Sequence, residues 1–135
     1  MPDDVASRRV LPSKTLPRPR FRYSPVVQAG PFVFVSGMVG LDDATGQLAT
    51  GGAYGQTGQV LQNLERLAAE MGWSLEQMVV ARVFCADPQG AAEVNRAWDE
   101  FFVEIVPPAR TFVTVSGLPL GAMVEIEFQF IVDVG

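Results

Sequence analysis

The sequence predicts one α+β domain of two layers, in which two helices cover one face of a mixed six-stranded β-sheet. Alternating apolar residues near both ends of the chain predict strands, and two stretches between them have apolar residues at helical spacing. The chain has 135 residues, of which 48% are hydrophobic, and this length suits a single domain. No apolar run reaches the roughly 20 residues that cross a bilayer, so no membrane partner is expected.

The first 20 residues are charged, rich in proline and aperiodic. We interpret residues 1–20 as a mobile or loosely docked N-terminal arm and residues 21–135 as the domain. A hairpin is predicted next, because Val26-Val27 and Phe32 to Val35 flank the turn residues Ala29-Gly30-Pro31. A short further strand before the first helix would bring the sheet to six.

Two amphipathic helices and a strand are predicted in the middle of the chain. The first helix ends near Gly72, a suitable C-terminal cap, and its apolar stripe comprises Val60, Leu61, Leu64, Leu67, Ala68 and Met71. Met78 to Ala86 is rich in β-branched and aromatic residues and predicts a strand. The second helix is predicted from Val94 to Ile105, stopped by Pro107-Pro108.

The last predicted elements are two strands around a Leu-Pro turn, which we expect to pair as a hairpin. Their alternating positions are Thr111, Val113 and Val115 on the first strand, and Val124, Ile126, Phe128 and Phe130 on the second. If both sets face the core, Arg110 and Phe112 share the other face with Glu125 and Glu127. Ile131 adds an apolar residue to that face. Because charges need partners or water, we expect other subunits or solvent to cover it.

Composition removes several classes of function. The chain has no histidine, which excludes Ser-His-Asp and Cys-His catalysis and histidine zinc sites. Cys85 is the only cysteine, so no internal disulfide forms, and with no secretory signal the cytoplasm is the expected compartment. From Tyr23 onward four basic residues stand against 13 acidic ones, leaving about nine net negative charges. Such a body repels nucleic acid, and only the arm is basic.

Arg110 and Glu125 are the candidates for chemistry. A guanidinium can hold a carboxylate through two parallel hydrogen bonds, and a glutamate among apolar neighbours can act as a base whose pKa is set by burial. The alternative for both is a structural ion pair. Tyr23 and Ser36 are weaker candidates, with packing and turn formation as alternatives. The sequence contains no metal-ligand spacing and no phosphate-binding glycine motif.

The segment PPARTFVTVSGLPLGAMVEIE is similar to the C-terminal signature of the RidA family, also called the YjgF family. That signature has Pro-Ala-Arg, a strand, a Leu-Pro turn and a Val-Glu-Ile-Glu strand. Four other stretches agree in order and spacing, and the resemblance covers about residues 23–132. They are Tyr23-Ser24 with Val27 to Gly30, Phe34 to Gly37, Gly51-Gly52 with Gln56-Thr57 and Leu61 to Leu64, and Val94-Asn95 before Phe101-Phe102.

The resemblance implies a chorismate-mutase-like fold and a homotrimer with a central barrel and sites between subunits. It implies hydrolysis of enamines and imines such as 2-aminoacrylate to 2-keto acids and ammonia, of the 2-iminobutanoate/2-iminopropanoate deaminase type, without a cofactor or metal. By the family's pattern Arg110 binds the substrate carboxylate and Glu125 positions or activates the water. Tyr23, Ser36 and Asn95 match positions that line or support the site.

Three positions depart from the family's pattern. Phe21-Arg22 replace the usual Gly-Pro, Met38 replaces a glutamine, and Phe112 stands where a small residue is usual. We expect Phe112 to narrow the pocket or bind an apolar substrate end, so a larger enamine such as an aminomuconate is an alternative substrate. Two further functions stay open, namely a regulatory trimer that binds a small carboxylate without turnover and an RNA-directed activity of the basic arm.

Overall fold

Six strands form one mixed sheet, and two helices pack on one of its faces. The computed structural model describes residues 7–133. In sheet order the strands are β1 (Arg9–Val10), β2 (Val26–Ala29), β3 (Phe32–Val39), β6 (Val124–Ile131), β4 (Met78–Cys85) and β5 (Ala109–Thr114). The helices are α1 (Gly52–Met71) and α2 (Ala91–Phe101), and short 3-10 turns lie at Leu75–Gln77, Pro88–Gly90 and Pro119–Gly121. The predicted fold class is confirmed. Neither helix of the described chain is long and apolar enough to cross a membrane.

The N-terminal hairpin is confirmed as β2 and β3, but the sixth strand is not where it was predicted. It lies in the arm, where β1 pairs with β2 through Arg9 opposite Gln28. Before α1 there is only an isolated bridge between Leu41 and Leu48. Residues 9–10 lack the alternating pattern of a half-buried strand because both are exposed at the sheet edge.

Both helices form, and α1 ends as predicted. Gly72 has φ of 77° and its amide donates to the carbonyls of Ala68 and Ala69, so a residue without Cβ suits this left-handed cap. The predicted end of α2 at Ile105 is wrong, because the helix stops at Phe101. Ile105 packs against the core from the following loop, which is why the apolar spacing continues past the helix.

The predicted pairing of the last two strands is wrong. β4 lies between β5 and β6, and β5 runs parallel to β4 after the α2 crossover. The register puts Arg110 beside Ala81, and Ala81 beside Phe128, so Arg110 lies on the helix-covered face. Glu125 is in register with Phe84 on the other face. The prediction that Arg110 and Phe112 share a face with Glu125 is therefore also wrong.

The alternating pattern along β5 predicted the wrong buried face because this strand lies at the sheet edge, where both faces are partly exposed. Val113, predicted to be core, is 40% exposed, whereas Phe112 packs partly buried against the core. By contrast, alternate residues of β6 are fully or almost fully buried beneath the helices, as their pattern predicts; they are Val124, Ile126, Phe128 and Phe130. They contribute roughly 1.5–3 kcal/mol each to folding, which fixes the register of β6 and the side on which Glu125 emerges.

Candidate active site

A cavity of about 290 Å³ collects three of the predicted site residues. It lies between residues 16–25, the end of β3 and the 3-10 turn before β6, and Tyr23, Ser36 and Glu125 all line it. These residues are far apart in sequence, and pairing of β3 with β6 brings two of them together. The cavity can enclose a small organic acid.

Glu125 is the carboxylate of this cavity, and it is half-buried. Burial raises its pKa from the ordinary value of a glutamate, and the negative charge of nearby Glu127 raises it further. Within residues 7–133 it has no ion-pair partner and accepts no hydrogen bond from another side chain; Glu127 instead pairs with Arg82, at 3.3 Å. The Glu125 carboxylate is thus available to a water or a substrate.

The chain makes room for this carboxylate at a β-bulge. The register of β3 against β6 shifts between Val35 and Met38, where Ser36-Gly37 lie. A Cβ on Gly37 would come within 2.8 Å of both Cδ and Oε2 of Glu125, so only glycine fits without displacing the carboxylate. Sequence reasoning missed this role of Gly37, because it weighed Ser36-Gly37 only as a ligand-orienting hydroxyl or a turn.

Ser36 and Tyr23 line the same cavity in different ways. The Ser36 hydroxyl donates to the backbone carbonyl of Ser24 at 2.7 Å, which leaves its oxygen lone pairs for a ligand donor. This bond also ties β3 to the residue that follows Tyr23. Tyr23 is 49% exposed, so it stands at the cavity mouth.

Arg110 lies in a second group, beside α2. Its Nη1 donates to the side-chain oxygen of Asn95 at 2.8 Å. The guanidinium carbon lies 5.1 Å from the Trp98 ring centre and 5.4 Å from that of Phe112. Two aromatic rings and one amide therefore hold the cation in place, and the remaining donors are exposed. In the part of the chain that the structure describes, Arg110 has no acidic partner.

Two predicted binding residues therefore contact Arg110 and do not line the cavity. Asn95 positions the guanidinium, and Phe112 stacks near it on the helix-covered face. The expectation that Phe112 narrows the pocket stays a prediction, because its ring lies beside Arg110 while β4 separates it from Glu125 within one chain. The sequence shows that bulky Phe112 follows Arg110 by two residues, but it does not show which face of the sheet the two side chains occupy.

The two groups cannot act on one small substrate within one chain. β5 and β6 are two strand spacings apart, and Arg110 and Glu125 are three residues out of register, so their Cα atoms are about 14 Å apart. Their side chains also leave opposite faces of the sheet. In a single chain the predicted structural ion pair between them does not form.

No metal centre is indicated. Among residues 7–133, no three histidine, cysteine, aspartate or glutamate side chains lie close enough together to hold an ion. Cys85 is buried in β4, and its thiol donates to the carbonyl of Asp87.

The chain matches a known protein family over most of its length. The sequence pattern described as Endoribonuclease L-PSP matches residues 13–132, which is most of the chain. The chain belongs to the RidA family, also named the YjgF, L-PSP or RutC family. The predicted resemblance is confirmed.

Two relatives within the RidA family are identical to this chain at about a third of the aligned positions. A RutC family protein of Pyrococcus horikoshii is 34% identical over 120 residues, covering 89% of this chain and 94% of its own. The mouse 2-iminobutanoate/2-iminopropanoate deaminase is also 34% identical over 120 residues, covering 89% and 88%. The crystal structure of E. coli TdcF with bound serine matches with a TM-score of 0.85 at 25% identity, covering 93% of this chain and 99% of TdcF.

Proposed function

We propose that this protein is a hydrolytic deaminase of small 2-imino and enamine acids, with sites formed between subunits. One observation carries the proposal: an oriented arginine and an unpaired, half-buried glutamate occur in one chain but cannot meet there. In a homo-oligomer, Arg110 of one subunit can lie opposite Glu125 of the next. The substrate carboxylate and a water then come between them.

The open face of the sheet supports association. It bears apolar side chains that are exposed in the single chain, and Phe32, Phe34 and Ile131 are each more than 40% exposed. Apolar patches of this kind typically mark contact surfaces. Three copies arranged around these faces would cover them, as the family's trimer implies, and would bring the edge strand β5 of one copy towards the cavity of another.

The chemistry requires little beyond orientation. A protonated imine carbon next to a carboxylate is electrophilic, so a water can add to it directly. Arg110 holds the substrate carboxylate, and Glu125 accepts a proton from the attacking water. Glu125 then returns the proton to the nitrogen of the carbinolamine. The C–N bond breaks to release ammonia, the hydroxyl proton passes to the Glu125 carboxylate, and a 2-keto acid remains. The raised pKa of Glu125 makes it a better base than an ordinary glutamate.

The relatives favour small substrates. The mouse relative is named for 2-iminobutanoate and 2-iminopropanoate, and TdcF was crystallised with serine, a small amino acid. The aminomuconate alternative stays open, because Met38 lines the cavity and Phe112 lies beside Arg110. Cytoplasmic location and the division at residue 20 remain predictions.

The test couples a threonine dehydratase to this protein and follows release of 2-oxobutanoate. We expect faster release than by free hydrolysis, and a loss of about 100-fold in kcat/KM for Arg110→Ala, comparable to removal of one oxyanion donor. The control is Arg82→Ala, another strand arginine with an acidic partner of its own. No acceleration, or full activity of Arg110→Ala, contradicts the proposal, and saturable binding without turnover favours a regulatory trimer.

A further inference from the structure

The N-terminal arm is fastened to the end of α1 by one carboxylate. Glu70 Oε1 accepts hydrogen bonds from the hydroxyls of Ser13 and Thr15, each at 2.7 Å, and Oε2 accepts from the Lys14 amide at 2.6 Å. Nearer the N-terminus, the Leu11 amide donates to the carbonyl of Val26 at 3.0 Å. The segment 11–15 is thus held at two points, and residues 1–6 of the predicted arm lie outside the described residues.

Beyond this attachment the arm forms a wall of the cavity that contains Glu125. Arg18 and Arg20 line that cavity from the arm side. Pro17 and Pro19 flank Arg18 and restrict the backbone, so the cation is presented at a low entropic cost. Arg22 is also exposed but does not line the cavity.

Both arginines retain unused hydrogen-bond donors. Arg20 donates from Nη2 to the Gly46 carbonyl at 2.8 Å, which occupies one of its five N–H groups. Within residues 7–133, neither Arg18 nor Arg20 pairs with a carboxylate, Glu125 included. Cations that line a cavity without acidic partners favour an anionic ligand.

We propose that Arg18 and Arg20 bind a second carboxylate at the distal end of the substrate, so that the preferred substrates are 2-imino dicarboxylic acids. The inference rests on the proposed function, because it names the substrate of the same site. Arg110 of the neighbouring subunit holds the carboxylate beside the imine carbon, and the arm arginines hold the other. A four- or five-carbon diacid is small enough for this cavity.

The test compares two substrates that differ in one group. Aspartate and 2-aminobutanoate are oxidised in situ by amino-acid oxidases with catalase, giving 2-iminosuccinate and 2-iminobutanoate; a carboxylate in one replaces a methyl in the other. Keto-acid release above free hydrolysis gives kcat/KM for each. We expect the wild-type protein to prefer 2-iminosuccinate by about tenfold or more, the range of a charge-assisted hydrogen bond.

Substitution should remove this preference. In Arg18→Gln/Arg20→Gln the ratio of the two kcat/KM values is expected to fall towards one, while Arg18→Lys/Arg20→Lys keeps part of it because the charge remains. Arg22→Gln is the matched control and should leave the ratio and both activities unchanged. A wild-type ratio near one, or a ratio unaltered in the glutamine variant, overturns the inference and leaves the proposed function standing. Turnover of neither substrate overturns both.

Discussion

Arg110 and Glu125 occupy settings of opposite character. Arg110 is exposed on an edge strand, yet Asn95, Trp98 and Phe112 hold it in one orientation. Glu125 is half-buried in a cavity wall and, in the described chain, has neither an ion pair nor a side-chain hydrogen bond. In the proposed site, the cation is thus oriented before a substrate binds, whereas the carboxylate has no partner until then. Each half is incomplete alone, and the difference between them suggests four experiments.

The largest expected effect comes from mixing two nearly inactive variants. Arg110→Ala and Glu125→Gln should each retain only about a hundredth of wild-type activity. Co-expressed in one cell, they should form hybrid oligomers in which some sites combine the intact arginine and the intact glutamate. With random mixing about a quarter of the sites are intact, so about a quarter of wild-type activity should return.

The control is mixing of the separately purified proteins without subunit exchange, which should restore nothing. If co-expressed variants also remain nearly inactive while oligomers form, Arg110 and Glu125 do not complete each other's sites across a subunit boundary.

Gly37→Ala should disturb the position of Glu125 without affecting Arg110. The new Cβ would displace the Glu125 carboxylate, so we expect kcat to fall by roughly 10–100-fold, as a misplacement of about 1 Å does. Oligomeric state and the orientation of Arg110 should be unaffected. Gly117→Ala is the control, because no atom lies within contact distance of a Cβ there. Equal activities of the two variants would show that the position of this carboxylate does not matter.

Glu127→Gln should shift the pH profile without abolishing activity. Burial and the charge of Glu127 both raise the pKa of Glu125, so activity is expected to fall as pH drops through that raised value. Removing the Glu127 charge should move the acidic limb of kcat/KM to lower pH. The exposed Glu76→Gln serves as control. An acidic limb that stays in place would mean that Glu125 is not the group whose ionisation limits the rate.

The smallest effect is expected from release of the arm. Burial opposes ionisation of Glu70, but hydrogen bonds from Lys14, Thr15 and Ser13 outweigh it and lower its pKa to about 2. Because the pKa of Glu70 is lower in the folded state, its carboxylate stabilises the docked arm fully at pH values above the ordinary pKa of 4.5. This stabilisation is lost as the pH falls through about 2. Glu70→Ala should therefore speed tryptic cleavage of the arm at neutral pH, whereas Glu65→Ala on the exposed side of α1 should not. Equal cleavage rates would argue against this attachment.

Features that depend on the spacing of nearby residues could be predicted from the sequence. The stripe of α1, its Gly72 cap and the buried positions of β6 follow from periodicities that packing beneath the helices enforces. Strand order is different, because nothing in β5 or β6 alone records that β4 enters between them. An error in that order is enough to assign Arg110 to the wrong face.

Site residues were predictable by type but not by grouping. Tyr23, Ser36 and Glu125 line one cavity, whereas Asn95 and Phe112 contact Arg110. Arg18 and Arg20 were missed as cavity residues because the arm has no periodicity to indicate where it docks. A proline on each side of Arg18 was the signal present in the sequence, since that spacing favours a rigid, extended presentation.

The separation of Arg110 from Glu125 has a consequence for dilution. Each chain has its own hydrophobic core, so a lone chain can stay folded while it lacks a complete site. If the proposed site forms between subunits, specific activity should decline when the protein is diluted below the dissociation constant of the oligomer, before any loss of secondary structure. In that arrangement a newly synthesised chain would also be inactive until it associated with other copies, so activity would rise more steeply than the number of chains at low expression.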